Sequence, residues 1–501
     1  MKKLITKFVM CGLAVAAALS FAACGSYSPN FSDWDGNYAP DASEEVGGYG
    51  DNFVYDSIVE QGFKDVADEP SSYFSLDRNT ASYSQVRSQI NSGYKVSPDS
   101  VRVEELINYF DYNFEAPTDK AVGVSANLAD CPWNEEHKLM LACVKTTEIN
   151  LDDMNGNYVF LIDVSGSMSG NNRIGLAKRA LKKLVDGLSD KDVVSIVTYA
   201  SGVNKVLDGG ECTKDGKNEI KEKIDGLIAS GGTYASGGIQ LAYETAKNHF
   251  ITDGNNRVII ITDGDFNIGI SDKNSMMEFI SEKAESGVYL SVFGVGMGNM
   301  RDDMLETLAR NGNGNYAYLD NDTEAEKALC HDLGGTLITV AKDSKAGVTF
   351  EKDNVVKYRL IGYDTKIISE DEYIDNTTDT GEIGSNLCVA VLYEIELVEN
   401  AEGTIANIEV KFKDVTGEDE VDEAVSVEVT TSTLSSDDMS FIACVAEFGL
   451  VLRQSKYAQN ANLYSVLERL NGLTEYTSAD PYRSEFATLV GKASEIYNKD
   501  F

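Results

Sequence analysis

Five short runs between positions 157 and 340 limit this chain to very few architectures. Tyr158–Ile162, Val193–Tyr199, Val258–Thr262, Val288–Phe293 and Tyr316–Leu319 are apolar almost without a break. A strand of that kind has no polar face to give to water, so it must be covered on both sides. Stretches of helical period lie between the runs, near Arg173–Gly187, Asn218–Ile228, Gly238–Phe250, Ser275–Ser286, Arg301–Arg310 and Thr323–Leu333. In the first of these Ile174, Ala177, Leu181 and Leu184 step by three and four, the spacing of one buried helix face. Strands alternating with helices predict an α/β fold: a mainly parallel sheet with helices on both faces.

The chemistry sits at the ends of those strands. Asp163 closes the first run, and Ser165 and Ser167 follow through a turn before the helix opens at Arg173. Open α/β sheets bind ligands just outside the carboxyl ends of their strands. A carboxylate and two hydroxyls offer only hard oxygen, which suits Mg²⁺ or Mn²⁺ better than zinc or copper. The plain alternative is a turn whose serines cap a helix. Asp163-x-Ser165-x-Ser167 resembles the metal-ion-dependent adhesion site of von Willebrand factor A (VWA) domains. That family adds a loop threonine and an aspartate after another buried strand. Thr233, in S-G-G-T-Y-A-S-G-G-I, and Asp263, directly after Arg257–Thr262 and before Gly264, match them in order. The resemblance implies a Rossmann-like sheet with an antiparallel edge strand, here Lys205–Leu207. It also implies a cation held by Ser165, Ser167 and Thr233, with Asp163 and Asp263 supplying charge mostly through water. A protein partner's acidic side chain would complete the shell. Gly231, Gly232, Gly237 and Gly238 fit a loop whose backbone approaches an ion closely, or mere turn chemistry.

A chain of 501 residues exceeds one hydrophobic core and predicts several domains. Its net charge of −38 excludes nucleic acid as a natural partner, since phosphate binding needs a basic footprint. Residues 1–24 read as an export signal: Met1-Lys-Lys, an apolar run from Phe8 to Ala23, then Phe21-Ala-Ala-Cys24. Cys24 after two alanines resembles a bacterial lipobox, which implies lipidation there and a protein held to the cell membrane, facing away from the cytoplasm; Phe21 replaces the usual Leu. Residues 25–68, poor in aliphatics, read as a disordered tether. The six later cysteines, Cys131, Cys143, Cys212, Cys330, Cys388 and Cys444, include no C-x-x-C pair, so a zinc site is not expected and disulfide pairing stays open.

Residues 69–118 predict a small helical region, with a helix from Pro98 through Val103, Leu106, Ile107 and Phe110. Residues 119–156 carry the strands Val122–Leu128 and Lys138–Lys145, and 157–340 form the VWA domain. Alternation returns in 341–434, at Val348–Phe350, Val355–Ile361, Leu387–Leu397, Ile405–Phe412 and Val425–Val429, with acidic turns at Glu370–Asp375 and Glu418–Glu423. These strands predict an antiparallel β-sandwich that recruits 119–156, so that the VWA domain is inserted in it or flanked by it. Residues 435–501 turn helical again. V-R-V-E-E-L-I-N-Y-F (101–110), Y-R-L-I-G-Y (358–363), V-A-E-F-G-L-V-L-R-Q-S (445–455) and D-P-Y-R-S-E-F-A-T-L-V (480–490) resemble bacterial VWA lipoproteins of the YfbK type.

Catalysis is not expected. An F-L-I-D-V-S phosphatase loop wants a second aspartate where Ser165 stands, and His137, His249 and His331 lie in no nucleophile or metal motif. The basic cluster Arg173, Lys178, Arg179, Lys182 and Lys183 reads as a solvated helix face. The functional expectation is a cell-surface or periplasmic lipoprotein that binds a protein through a divalent cation. The alternatives are a structural envelope lipoprotein with a vestigial metal site and a metal-dependent hydrolase.

Overall fold

The computed structural model describes residues 55 and 57–497, apart from 77, 150–154, 253, 265–272, 297–301, 333–334, 336–337, 379, 417–419, 433–435 and 459. Residues 1–24, where an export signal ending at Cys24 is expected, lie outside the described residues. The chain begins with β1 (Lys64–Asp65), β2 (Ser71–Ser75), α1 (Ala81–Asn91), α2 (Val103–Ile107), β3 (Val122–Asp130) and β4 (His137–Thr146). The middle is β5 (Gly156–Asp163), α3 (Ile174–Gly187), β6 (Val193–Tyr199), β7 (Val203–Glu211), α4 (Lys214–Asp225), α5 (Ala235–Asn248), β8 (Asn255–Thr262), α6 (Lys273–Ala284), β9 (Tyr289–Val295), α7 (Asp302–Asn311), β10 (Tyr316–Leu319) and α8 (Asp322–Glu326). There follow β11 (Thr339–Phe350), β12 (Val355–Ile361), α9 (Glu370–Ile374), β13 (Gly381–Gly384), β14 (Cys388–Leu397), β15 (Thr404–Asp414) and β16 (Val421–Thr430). Four helices close the chain: α10 (Asp437–Leu452), α11 (Leu463–Gly472), α12 (Thr474–Ser478) and α13 (Pro481–Tyr497).

The central sheet has the order β10-β9-β8-β5-β6-β7, parallel throughout except for β7. All eight residues of β5 are buried, and alternate side chains serve opposite cores. Tyr158, Phe160 and Ile162 join α3, α4 and α8, whereas Val159 and Leu161 join α5 and α7. The edge strand runs over nine residues rather than the three expected, because Val203–Glu211 is mostly half-exposed and lacks a continuous apolar signal.

Two antiparallel sheets, β1-β12-β14-β4-β3 and β13-β11-β15-β16, face each other across a second core. Register joins Met140 to Tyr393 and Ala142 to Val391, so the strands before the central domain pair with those after it, as expected. The central domain is therefore inserted between β4 and β11. The period of two along β4 sends Met140, Ala142 and Val144 into the sandwich and Leu139 and Leu141 to the other face. There α1, α2, α10, α11 and α13 form one helical layer from both ends of the chain.

Three expectations need correction. The tether does not reach residue 68: β1 pairs with β12, and Glu60 lies 3.2 Å from the buried Arg359 guanidinium. That guanidinium also meets Glu394, which holds His137 Nδ1 at 2.6 Å; buried charge of this kind must be matched wherever partners stand. The helix from Pro98 is broken, because Arg102 is extended and its N–H donates to Ser82 Oγ. Glu370–Asp375 is not a turn but a short helix, opened by a reciprocal capping box between Ser369 and Glu372.

Cys131, Cys143, Cys212, Cys388 and Cys444 are buried free thiols. Cys143 stands opposite Ala390, and Cys388 opposite Lys145, so the two thiols sit on a diagonal. Burial, and then the neighbouring Cys388 thiol, push the Cys143 thiol above its ordinary value. Among the described residues, no helix is long and apolar enough to cross a membrane.

Candidate metal centre

The centre forms where β5 runs out. Val164 N donates to Tyr199 O of β6 at 2.9 Å, which fixes the exit of the strand. Asp163 is fully buried and both carboxylate oxygens are engaged: Oδ1 accepts from Ser165 N at 2.8 Å and Oδ2 from Thr262 Oγ1 at 3.0 Å. A 3₁₀ turn over Gly166–Met168 follows, with Met168 buried as its plug. This turn brings Ser165 Oγ and Ser167 Oγ to 2.9 Å of one another.

The loop carrying Thr233 is fastened to the same place. Gly166 N donates to Gly231 O at 2.9 Å, Ser230 N to Val164 O at 2.7 Å, and Tyr234 N to Ala200 O at 2.7 Å. Gly231 has φ +90, and a β-carbon there would lie 2.8 Å from Ser201 Oγ; both facts require glycine. Thr233 itself is half-buried. Asp263, at the end of β8, is 6% exposed. Burial pushes the Asp163 carboxyl above its ordinary value, the bonds from Ser165 pull it back, and the charge of Asp263 pushes it further up. Asp265 lies outside the described residues.

Sequence reasoning missed three participants. Arg173 is not on a solvated face: its Nη1 donates to Ser167 O at 2.6 Å and stands 3.8 Å from Asp263 Oδ2. Gly296, at φ +79 after β9, leaves it room, since a β-carbon there would come within 2.5 Å of the arginine chain. A signal was present, because a cation at the start of a helix opposes the helix dipole. Its neighbours do behave as a surface, with Arg179 on Asp322, Lys182 on Asp225 and Lys183 on Glu326. Thr262 and Ser201 were the other two. Each is one of many hydroxyls in the chain, with nothing in its local spacing to mark it.

The donor set can be tested against a cation by geometry. At about 2.1 Å from one ion, neighbouring ligands of an octahedron stand about 3.0 Å apart, close to the separation of the two serine hydroxyls. Among the described residues, no group of three or more His, Cys, Asp and Glu is placed to hold a metal. A cation here would therefore rest on hydroxyls and two carboxylates, an oxygen set of the magnesium and manganese kind.

A parallel sheet with one antiparallel edge strand, carrying this oxygen cluster at the ends of β5 and β8, defines a VWA-domain protein. Residues 158–265 match the von Willebrand factor type A domain model, and residues 50–141 match a second model described as von Willebrand factor. Residues 335–431 and 398–496 match the C-terminal model of YfbK. YfbK of Escherichia coli (strain K12) is 34% identical over 475 residues, 88% of this chain and 81% of its own. The chain belongs to the YfbK family. Inter-alpha-trypsin inhibitor heavy chain H3 of Mesocricetus auratus is 27% identical over 34% of this chain and 20% of its own length. The solved von Willebrand factor type A structure from Catenulispora acidiphila covers 74% of this chain and 89% of its own, at 16% identity and a TM-score of 0.40.

Proposed function

We propose that this chain binds a protein partner through a divalent cation held by Ser165, Ser167 and Thr233, with Asp163 and Asp263 supplying the charge. The observation that carries the reading is the approach of two serine hydroxyls to 2.9 Å beside a fully buried carboxylate. When bound, Mg²⁺ or Mn²⁺ supplies an electrophilic coordination position for an acidic side chain of the partner. Hydroxyl donors leave that electrophilicity largely intact, since they add no charge of their own. Arg173 keeps the turn and Asp263 in register. Binding is favoured over catalysis because the two histidines with described side chains are engaged outside this cluster, His137 on Glu394 and His249 on Asp208.

The test is a calorimetric titration of Mg²⁺ and Mn²⁺ into the soluble chain beginning after Cys24, repeated at high ionic strength. One saturable site that survives salt is expected. A weak, non-saturating, salt-sensitive signal would mean diffuse attraction to an acidic surface. Arg173 beside Asp263 would then serve as the permanent counter-charge of a structural protein.

The proposal extends to place. The basic start, apolar run and Ala-Ala-Cys24 of the first 24 residues support export and lipid attachment at Cys24, with the VWA domain displayed outside the cytoplasm. Cys24→Ser is expected to move the protein from the membrane to the soluble fraction of the producing bacterium. Unchanged membrane association would sink the anchor.

A further inference from the structure

Arg173 spans the ends of three neighbouring strands. Its Nη1 donates to Ser167 O, beyond β5, at 2.6 Å and stands 3.8 Å from Asp263 Oδ2, beyond β8. Its aliphatic stem crosses Gly296, beyond β9, where a β-carbon would come within 2.5 Å of it. The sheet places β9, β8 and β5 side by side, so one side chain lies along the carboxyl edge where the candidate centre stands. The other basic residues of the stretch turn outward: Lys178 donates to Asp225 O, and Arg179, Lys182 and Lys183 take surface acids.

This placement sets the charge of the centre. Among the described residues it holds the Asp163 and Asp263 carboxylates and the Arg173 guanidinium, a group that keeps its proton at any physiological pH. Together they leave one net negative charge. A divalent cation on the serine hydroxyls would turn that into one net positive charge, and a single added carboxylate would then bring it to zero. With a neutral residue at 173 the cation alone would balance both acids, and a further carboxylate would be in excess. The arginine side chain is 27% exposed and Asp263 only 6%, so water and salt screen these charges only in part.

We infer that Arg173 couples the two ligands of the centre: the cation is held weakly alone and firmly once a partner's carboxylate joins it. The guanidinium repels the bare ion and favours the anion that neutralises the filled site. The coupling is reciprocal, so the carboxylate tightens the cation by the same factor as the cation tightens the carboxylate. Arg173 is therefore a specificity-determining residue: it makes an acidic partner necessary for a well-occupied site. This inference rests on the cation reading and adds what regulates that site.

The test follows Mn²⁺ binding to the soluble chain beginning after Cys24 through the paramagnetic resonance of the free ion. It is run in chloride, then with acetate replacing chloride at equal ionic strength, acetate being the probe for a partner's carboxylate. In the wild type acetate should tighten Mn²⁺ several-fold. Arg173→Gln keeps an N–H donor for Ser167 O but no charge. It should bind Mn²⁺ about tenfold more tightly than the wild type in chloride, because a like charge beside the ion is gone, and gain little from acetate. Arg173→Lys, which keeps the charge, should follow the wild type in both salts. No acetate effect in the wild type overturns the inference without recourse to any variant. So does an Arg173→Gln chain that binds Mn²⁺ more weakly than the wild type in chloride, which would make the arginine only a brace for the turn. In both cases saturable binding to the wild type leaves the cation reading standing. Its absence from the wild type and both variants overturns the cation reading and this inference with it.

Discussion

Arg87→Ala is expected to cost the folded chain roughly 3–5 kcal/mol at neutral pH, the loss typical when one member of a buried ionic cluster is removed. The side chain is fully buried on α1. Its guanidinium reaches Asp320 at 2.5 and 2.9 Å, Glu324 at 2.7 Å, Glu485 at 3.0 Å and the Tyr109 hydroxyl at 2.9 Å. The three carboxylates lie after β10, in α8 and in α13, so one cation joins the first helix, the central domain and the last helix. Alanine would leave the Asp320 and Glu324 carboxylates almost fully buried with their main counter-charge gone.

The sign of the pH dependence follows. Burial already raises Asp320 and Glu324 above their ordinary carboxyl values even with Arg87 in place. A raised folded-state pKa contributes stability that is present below the unfolded value and lost as pH rises through the folded one. Without Arg87 that folded value moves higher, so the variant should recover on acidification and be worst at neutral pH. Thermal melts across pH 4–8 would check this. A loss below about 1 kcal/mol, or one independent of pH, would show that the cluster contributes little. Arg87→Met with Glu324→Gln and Asp320→Asn should restore part of the stability, because buried neutral amides cost less to desolvate than buried unpaired carboxylates.

That cluster also shows where sequence reading stops. The central sheet was legible because strands buried on both faces leave continuous apolar runs, and Asp163, Ser165 and Ser167 because they fall at the end of one. Arg87 pairs with residues 233, 237 and 398 positions away, and a single sequence carries no signal for such partners. Arg173 was hidden for another reason. By helical spacing it belongs to a basic surface stripe, but its backbone lies at φ −120 and ψ −99, outside the helix, which turns the side chain towards Ser167 O. Glu370–Asp375 was misread although its capping box was local, because a dense run of acids reads as solvent-facing turn before the Ser369–Glu372 spacing is weighed.

Asp163→Asn is expected to weaken cation binding by roughly two orders of magnitude while leaving the metal-free chain at least as stable as before. In the metal-free chain the carboxylate is a burden: it is fully buried, and the neighbouring Asp263 carries the same charge. Asparagine keeps an oxygen for Ser165 N and nearly the same volume, yet removes that repulsion. Metal affinity should fall by roughly two orders of magnitude, as when a cation site loses a group that supplies its charge. Melting with and without Mg²⁺ separates the two effects. At a concentration about 100-fold above its dissociation constant, the cation should stabilise the native chain by about 2.7 kcal/mol, whereas a 100-fold weaker site gains only about 0.4 kcal/mol. An equal gain in both proteins would place the bound magnesium elsewhere on the acidic surface. A variant several kcal/mol less stable without metal would make Asp163 a turn-forming residue, whose bonds to Ser165 and Thr262 outweigh the charge it buries.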